Sequence, residues 1–169
     1  MSEPHALLNA LPLDAARAML TRCCGAQHWV EAMLARRPFV DTQQLLAASD
    51  AVFAHASPAD WRQAFSHHPQ IGADPTELRR QFAATSDLAA AEQAGAVGAD
   101  VRTLEALRAA NQAYLARFGY IFIVCASGKS AASMLELLEQ RFGNDPDREL
   151  RIAAAEQAKI TKLRLERLA

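Results

Sequence analysis

Three times in this chain a side chain able to cap a helix stands directly before a proline: Ser57-Pro58, Asp74-Pro75 and Asp145-Pro146. Each is a helix start. The capping oxygen accepts an N–H that the first turn leaves unpaired, and proline loses nothing at a position whose N–H has no helical partner. In "SPAD" and "DPTE" an acid follows, Asp60 and Glu77, placed to reach back to the cap. "DTQQ" adds another start, with Asp41 as cap and Gln44 in the reciprocal position.

Between these starts alanine and leucine are abundant and β-branched residues sparse, which favours helix. Leu104, Leu107, Asn111, Tyr114, Leu115 and Phe118 form a stripe at helical spacing, and Met134, Leu135, Leu137, Leu138 and Phe142 form another. Gly119 and Gly143-Asn144 are stop signals. The pattern predicts helices near 13–24, 26–36, 42–55, 58–66, 75–92, 100–118, 129–142 and 146–168. There is no hairpin signal, internal repeat, low-complexity tract or linker. A chain of 169 residues, 51% apolar, is enough for one core, so residues 1–169 are expected to form a single all-α bundle of about eight helices.

"GYIFIVCASGKS", residues 119–130, breaks the pattern with the apolar run Ile121 to Cys125. The run is strand-like in composition, but no partner strand is predicted. It is expected instead as an extended buried segment near 120–126 that leads into the next helix. Its main-chain polar groups must then find partners outside a sheet. A ligand at the following helix N-terminus is one such partner; a plain buried connector is the other reading.

Charge excludes little but directs attention inward. With 18 basic and 19 acidic residues the formal net charge is −1, so a basic nucleic-acid face is not expected. No apolar run approaches the roughly 20 residues that span a bilayer, and neither terminus reads as a secretory or peroxisomal address. Cys23, Cys24 and Cys125 are odd in number and lack a C-x-x-C, which points to reduced, buried thiols in a cytoplasmic protein.

The chemistry-bearing stretches are few. "SHHPQIG" places His67 and His68 side by side at a helix exit. Adjacent side chains diverge, so the two do not share a metal, and neither H-x-x-x-H spacing nor an H-E-x-x-H motif is present. His68 precedes Pro69, which forces it out of helical conformation and fixes its backbone. An imidazole held in this way suits proton transfer near neutral pH, although a His-Pro turn is more often merely structural. Gly72 then lets the chain turn away. Glu92 and Gln93 interrupt an alanine-rich run; they could bind the N–H and C=O groups of a ureide, or form a solvent-facing pair at a helix end. Near the C-terminus Lys159, Lys162, Arg164 and Arg167 would ordinarily be solvated. Arg164 lies between Leu163 and Leu165, so its stem is a candidate for burial and its guanidinium for a carboxylate clamp.

Taken in order, "HHPQIG", "EQAG", "NQAYLARFGYIFIVCASGKS", "RFGN" and "KITKLRLERL" resemble the 2-oxo-4-hydroxy-4-carboxy-5-ureidoimidazoline (OHCU) decarboxylase family, on the ureide route from urate to (S)-allantoin. The resemblance covers nearly the whole chain and implies an all-α homodimer that needs no cofactor. It places the proton donor on His68, with Pro69 beside the substrate. The Glu-Gln pair falls on Glu92, with a catalytic role in fixing the ring, and on Gln93. The main chain that touches the ring falls on Phe122, Ile123, Val124, Cys125 and Ala126, and the arginine anchor on Arg164. Many members carry Ser where this chain has Ala89, and Ser86 stands one turn earlier. No metal ligand, nucleic acid or membrane is implied. Two other readings compete. One is a non-catalytic helical interaction module; the other is a different ureide enzyme, whose hydrolases of allantoate type require a metal cluster that this spacing does not offer.

Overall fold

The capping signals form as read. Asp41 accepts the N–H of Gln44 at 2.7 Å, and Gln44 turns back to accept the N–H of Val40 at 2.7 Å. Ser57 and Asp60 make the reciprocal box: Ser57 Oγ accepts the Asp60 N–H at 3.1 Å, and Asp60 Oδ2 accepts the Ser57 N–H at 2.9 Å. Asp145 accepts the N–H of Arg148 at 3.0 Å. These boxes open three of the helices seen in the computed structural model, which describes residues 2–69 and 101–168.

Among the described residues there are eight helices and no strand. They are α1 Pro4–Ala10, α2 Leu13–Cys23, α3 Gln27–Ala35, α4 Thr42–Ala54, α5 Pro58–Ser66, α6 Val101–Phe118, α7 Ala131–Phe142 and α8 Pro146–Glu166. The all-α class expected from sequence holds. The helix expected at 75–92 lies outside the described residues. Helix α1 was not expected. It has seven residues and no capping side chain, so the local signals are faint. Tertiary contacts hold it instead. Asn9 donates to the carbonyl of Phe39 and accepts its N–H, at 2.8 and 2.9 Å, while Arg37 donates to the carbonyl of Asn9 at 3.0 Å.

The chain forms two compact units. One is drawn from Met1–Ala64 and Gln157–Ala169, the other from Phe65–Glu156. In the first, α1 to α4 bury Leu8, Leu20, Trp29, Met33 and Leu45 completely. In the second, α6 packs along α7 and buries Leu107, Tyr114, Met134 and Leu138.

Gly119 ends α6 at φ +82°, a left-handed conformation that costs glycine little. Gly143 ends α7 in the right-handed region instead, and the turn closes through the Asn144 N–H to the carbonyl of Arg141 at 3.0 Å. The expected extended segment is present: residues 121–126 have no regular secondary structure, and Phe122 to Ala126 are all buried. It is fixed by aromatic packing in the second unit. Tyr114 meets Phe122 edge-on with centroids 5.3 Å apart, and Tyr120 lies 5.1 Å from Phe65.

Candidate functional site

The turn after α5 separates the two histidines. Helix α5 stops at Ser66, and the His68 N–H donates to the carbonyl of Phe65 at 3.2 Å, which tightens the exit as the following proline requires. His67 is exposed and its Nδ1 lies 3.5 Å from Ser66 Oγ; His68 is half-buried and Pro69 is buried. Phe65, the residue that anchors the turn, is fully buried against Tyr120. The same residue therefore holds both, the His68 turn through its main-chain carbonyl and the start of the extended segment through its ring.

The main-chain groups of that segment find charged partners from two helices, α7 and α8, and from the turn that follows it. Arg141 Nη1 donates to the carbonyl of Ile123 at 2.7 Å. The Cys125 N–H donates to Glu156 Oε2 at 2.9 Å, and Lys129 Nζ donates to the Cys125 carbonyl at 2.8 Å. The Ala126 carbonyl accepts the Lys129 N–H at 3.0 Å. Charge-assisted bonds of this kind hold a strand-like backbone without a sheet. Among the described residues nothing pairs with the main-chain N–H or C=O of Val124, which lies between the gripped positions. Gly128, at φ +74°, turns the chain towards α7, whose N-cap Ser130 accepts the Ser133 N–H at 3.1 Å.

Arg141 is itself held. Its Nε donates to Glu149 Oε1 at 2.8 Å, and its guanidinium carbon lies 4.4 Å from the centre of the Phe122 ring. The Tyr114 hydroxyl also donates to Glu149 Oε1, and Asn144 Nδ2 donates to Oε2 at 2.9 Å. Burial first, and the bond to Glu149 second, push the Tyr114 hydroxyl far above the ordinary phenol range, so it remains a donor.

Arg164 belongs to the other unit and is buried, with 4% of its surface exposed. Its Nη1 lies 3.4 Å from the carbonyls of Arg22 and Cys23, at the C-terminal end of α2, where a cation is favoured. The expected burial of its stem thus extends to the guanidinium. Burial pushes the nearby Cys24 thiol up to about 11, against the lowering effects of the Ala26 N–H, Thr161 and the Arg164 charge.

Of the residues singled out by sequence, His68, Pro69 and Phe122 to Ala126 fall in one unit and Arg164 in the other. Glu92, Gln93, Ala89, Ser86 and Gly72 lie outside the described residues. Sequence reasoning missed Lys129, Glu149, Glu156 and the part played by Arg141. Two signals were available: an acid set in the alanine-rich run before Glu156, and the "RFGN" stretch itself, quoted for its resemblance and given no task. Among the described residues no group of His, Cys, Asp and Glu is arranged to hold a metal ion, and no helix is long and apolar enough to cross a membrane.

This arrangement offers an imidazole on a fixed turn and a buried main-chain edge, and comparison with known proteins gives the chemistry a class. The family model for OHCU decarboxylase matches residues 9–166, through both units. The uric acid degradation bifunctional protein TTL of Arabidopsis thaliana is 39% identical over 86% of this chain, and the chain spans 45% of that protein's length. The 2-oxo-4-hydroxy-4-carboxy-5-ureidoimidazoline decarboxylase of Amia calva is 29% identical over 77% of this chain and 73% of its own. The crystal structure of an OHCU decarboxylase in the presence of (S)-allantoin superposes with a TM-score of 0.71 at 34% identity, covering 88% of this chain and 94% of that one.

Proposed function

Because the chain belongs to the OHCU decarboxylase family of carboxy-lyases, we propose that it converts OHCU to (S)-allantoin, with His68 as the proton donor. The substrate carries its carboxylate on C4, beside a C5 doubly bonded to a ring nitrogen. As the C4–carboxylate bond breaks, its electron pair forms C4=C5 and the C=N pair moves onto nitrogen, which takes up a proton. The resulting enol becomes the C4 carbonyl as C5 is protonated, so one proton is consumed for each CO₂ released. The substrate is its own electron sink, which is why the reaction does not depend on a bound electron acceptor.

The protein's task is to orient the carboxylate and to protonate one face of C5. What supports His68 for this is its half-buried imidazole on a turn pinned to Phe65, beside an exposed His67. The Val124 amide, with Phe122, Ile123, Cys125 and Ala126 around it, is proposed to meet the ring. Glu92 and Gln93 are proposed to bind its ring and ureido N–H groups and its carbonyl, and Arg164 to anchor a carboxylate or carbonyl oxygen. The buried, unbridged Cys23, Cys24 and Cys125 suit a reducing compartment, and we place the protein in the cytoplasm as a homodimer.

The test generates OHCU in situ from urate with uricase and hydroxyisourate hydrolase, in the presence of a chelator, and follows the optical activity of the allantoin. Added protein is expected to give product faster and with the optical rotation of (S)-allantoin. Racemic product at the uncatalysed rate would show the reading to be wrong. Sedimentation of the protein at micromolar concentration tests the dimer, which a single monomeric species would contradict.

A further inference from the structure

Arg141 and Glu149 are almost entirely withdrawn from water, at 8% and 0% exposure. Such a pair is costly unless its donors and acceptors are well placed, and a hydrophobic pair of equal volume often holds helices together as well or better. A purely structural pair would therefore gain little from its charge. Here the pair does something that an apolar substitute could not. One guanidinium nitrogen, Nη1, is directed at the carbonyl of Ile123 at 2.7 Å, while Nε and Nη2 lie 2.8 and 2.6 Å from Glu149 Oε1. Its planar face covers the ring of Phe122, the adjoining residue, at 4.4 Å.

The fork has its own supports. Glu149 receives the Tyr114 hydroxyl from α6 and Asn144 Nδ2 from the turn after α7. One helix and one turn thus fix the carboxylate carried by α8, the carboxylate fixes one guanidinium, and the guanidinium fixes the peptide next to Val124. The donors of an arginine are rigidly spaced, so the position of the carboxylate is passed to the carbonyl with little play. Lysine, with a single nitrogen on a flexible stem, could serve the carboxylate or the carbonyl but could not span both in this way.

We propose that Arg141, set by Glu149, is a positioning residue for the decarboxylation: it sets the height and tilt of the 122–126 main chain against the substrate ring. The proposal rests on the reading of that segment as substrate-facing. It also gives the "RFGN" stretch a task, since Arg141 supplies the fork and Asn144 steadies its counter-ion.

The experiment compares wild-type protein with Arg141→Lys by steady-state kinetics on OHCU, and by hydrogen exchange of the 122–126 amides. Displacement of a binding edge by about 1 Å costs on the order of 10²-fold. Arg141→Lys is expected to lower kcat/KM by about that factor, with a raised KM, and to speed exchange at 122–126 while exchange in the middle of α6 is unchanged. A variant that loses thermal stability but keeps the wild-type KM would overturn the proposal, because a merely structural role does not change the affinity of the molecules that remain folded. If Arg141→Lys does not fold, Tyr114→Phe takes its place. It is nearly isosteric, removes one bond to Glu149, and is expected to raise KM in the same direction; an unchanged KM would again overturn the proposal. Wild-type protein inactive on OHCU would remove the functional reading and this proposal with it, whereas active wild type with unchanged KM in both variants would remove this proposal alone.

Discussion

The Cys125 N–H donates to Glu156 Oε2 at 2.9 Å, so a carboxylate on α8 takes the place that a neighbouring strand would fill in a sheet. Lys129 completes the grip from the carbonyl side at 2.8 Å. Glu156→Ala would leave a buried amide N–H without its acceptor. The expected cost is about 1–3 kcal/mol of stability, read by urea denaturation. Glu156→Gln keeps an acceptor oxygen and is expected to retain most of that stability. An equal loss in both variants would show that the bond to Cys125 is not what Glu156 contributes.

Burial pushes the Cys24 thiol up to about 11, and the thiolate is the reactive form. In native protein at pH 8, Cys24 is expected to resist iodoacetamide, and to be alkylated once urea unfolds the chain. Mass spectrometry of the peptide carrying Cys24 checks this; rapid native labelling would contradict it.

Asp60 is held below the usual carboxylate range, first by the backbone N–H of Ser57 and then by its hydroxyl. A carboxyl whose folded-state pKa is depressed contributes stability above its unfolded pKa. That contribution is lost as pH falls through the folded value. The melting temperature of Asp60→Asn is therefore expected to lie below that of wild type at pH 7. The gap should shrink below about pH 4, where the aspartate begins to protonate in the unfolded chain. A gap independent of pH would remove the ionised cap from the account.

The parts of the fold that were legible are those written by local chemistry. Ser57, Asp41 and Asp145 announce their helices because a cap is satisfied within one turn of chain. Gly119 announces the end of α6 because its left-handed conformation is disfavoured for other residues. The extended segment was legible as an exception, since a β-branched run with no partner strand has nowhere to pair. Its partners were not. Arg141 and Glu156 reach it from 18 and 31 residues further along the chain. Although an acid among alanines and the "RFGN" stretch mark them as unusual, neither signal names the segment as their target. Lys129 lies within the stretch itself, four residues after the carbonyl it grips. Helix α1 was missed for the same reason, being held through Asn9 and Arg37 rather than by a cap. Within the candidate site, Pro69 singled out His68 from His67 by a steric rule. The positions of Glu92, Gln93 and Arg164 as substrate partners came from resemblance to a family, because no local rule distinguishes them from solvated charges.

Arg164→Lys keeps the charge and loses the fork. A hydrogen bond to a charged group is worth about 1.5–3 kcal/mol, so kcat/KM on OHCU is expected to fall by about 10–10²-fold. Circular dichroism should show the helices intact. Wild-type kinetics in this variant would mean that the guanidinium serves only the end of α2, where it lies 3.4 Å from the carbonyls of Arg22 and Cys23.

The central claim is that one histidine of an adjacent pair donates the proton. It is tested most directly by measuring the rate of (S)-allantoin formation from OHCU with His68→Ala and His67→Ala. His68 is half-buried on a turn bonded to Phe65, and His67 is exposed. Loss of a general acid costs about 10²–10⁴-fold, so His68→Ala is expected to lose activity on that scale while His67→Ala keeps most of it. Equal losses in the two variants, or a His68→Ala protein as active as wild type, would contradict the account.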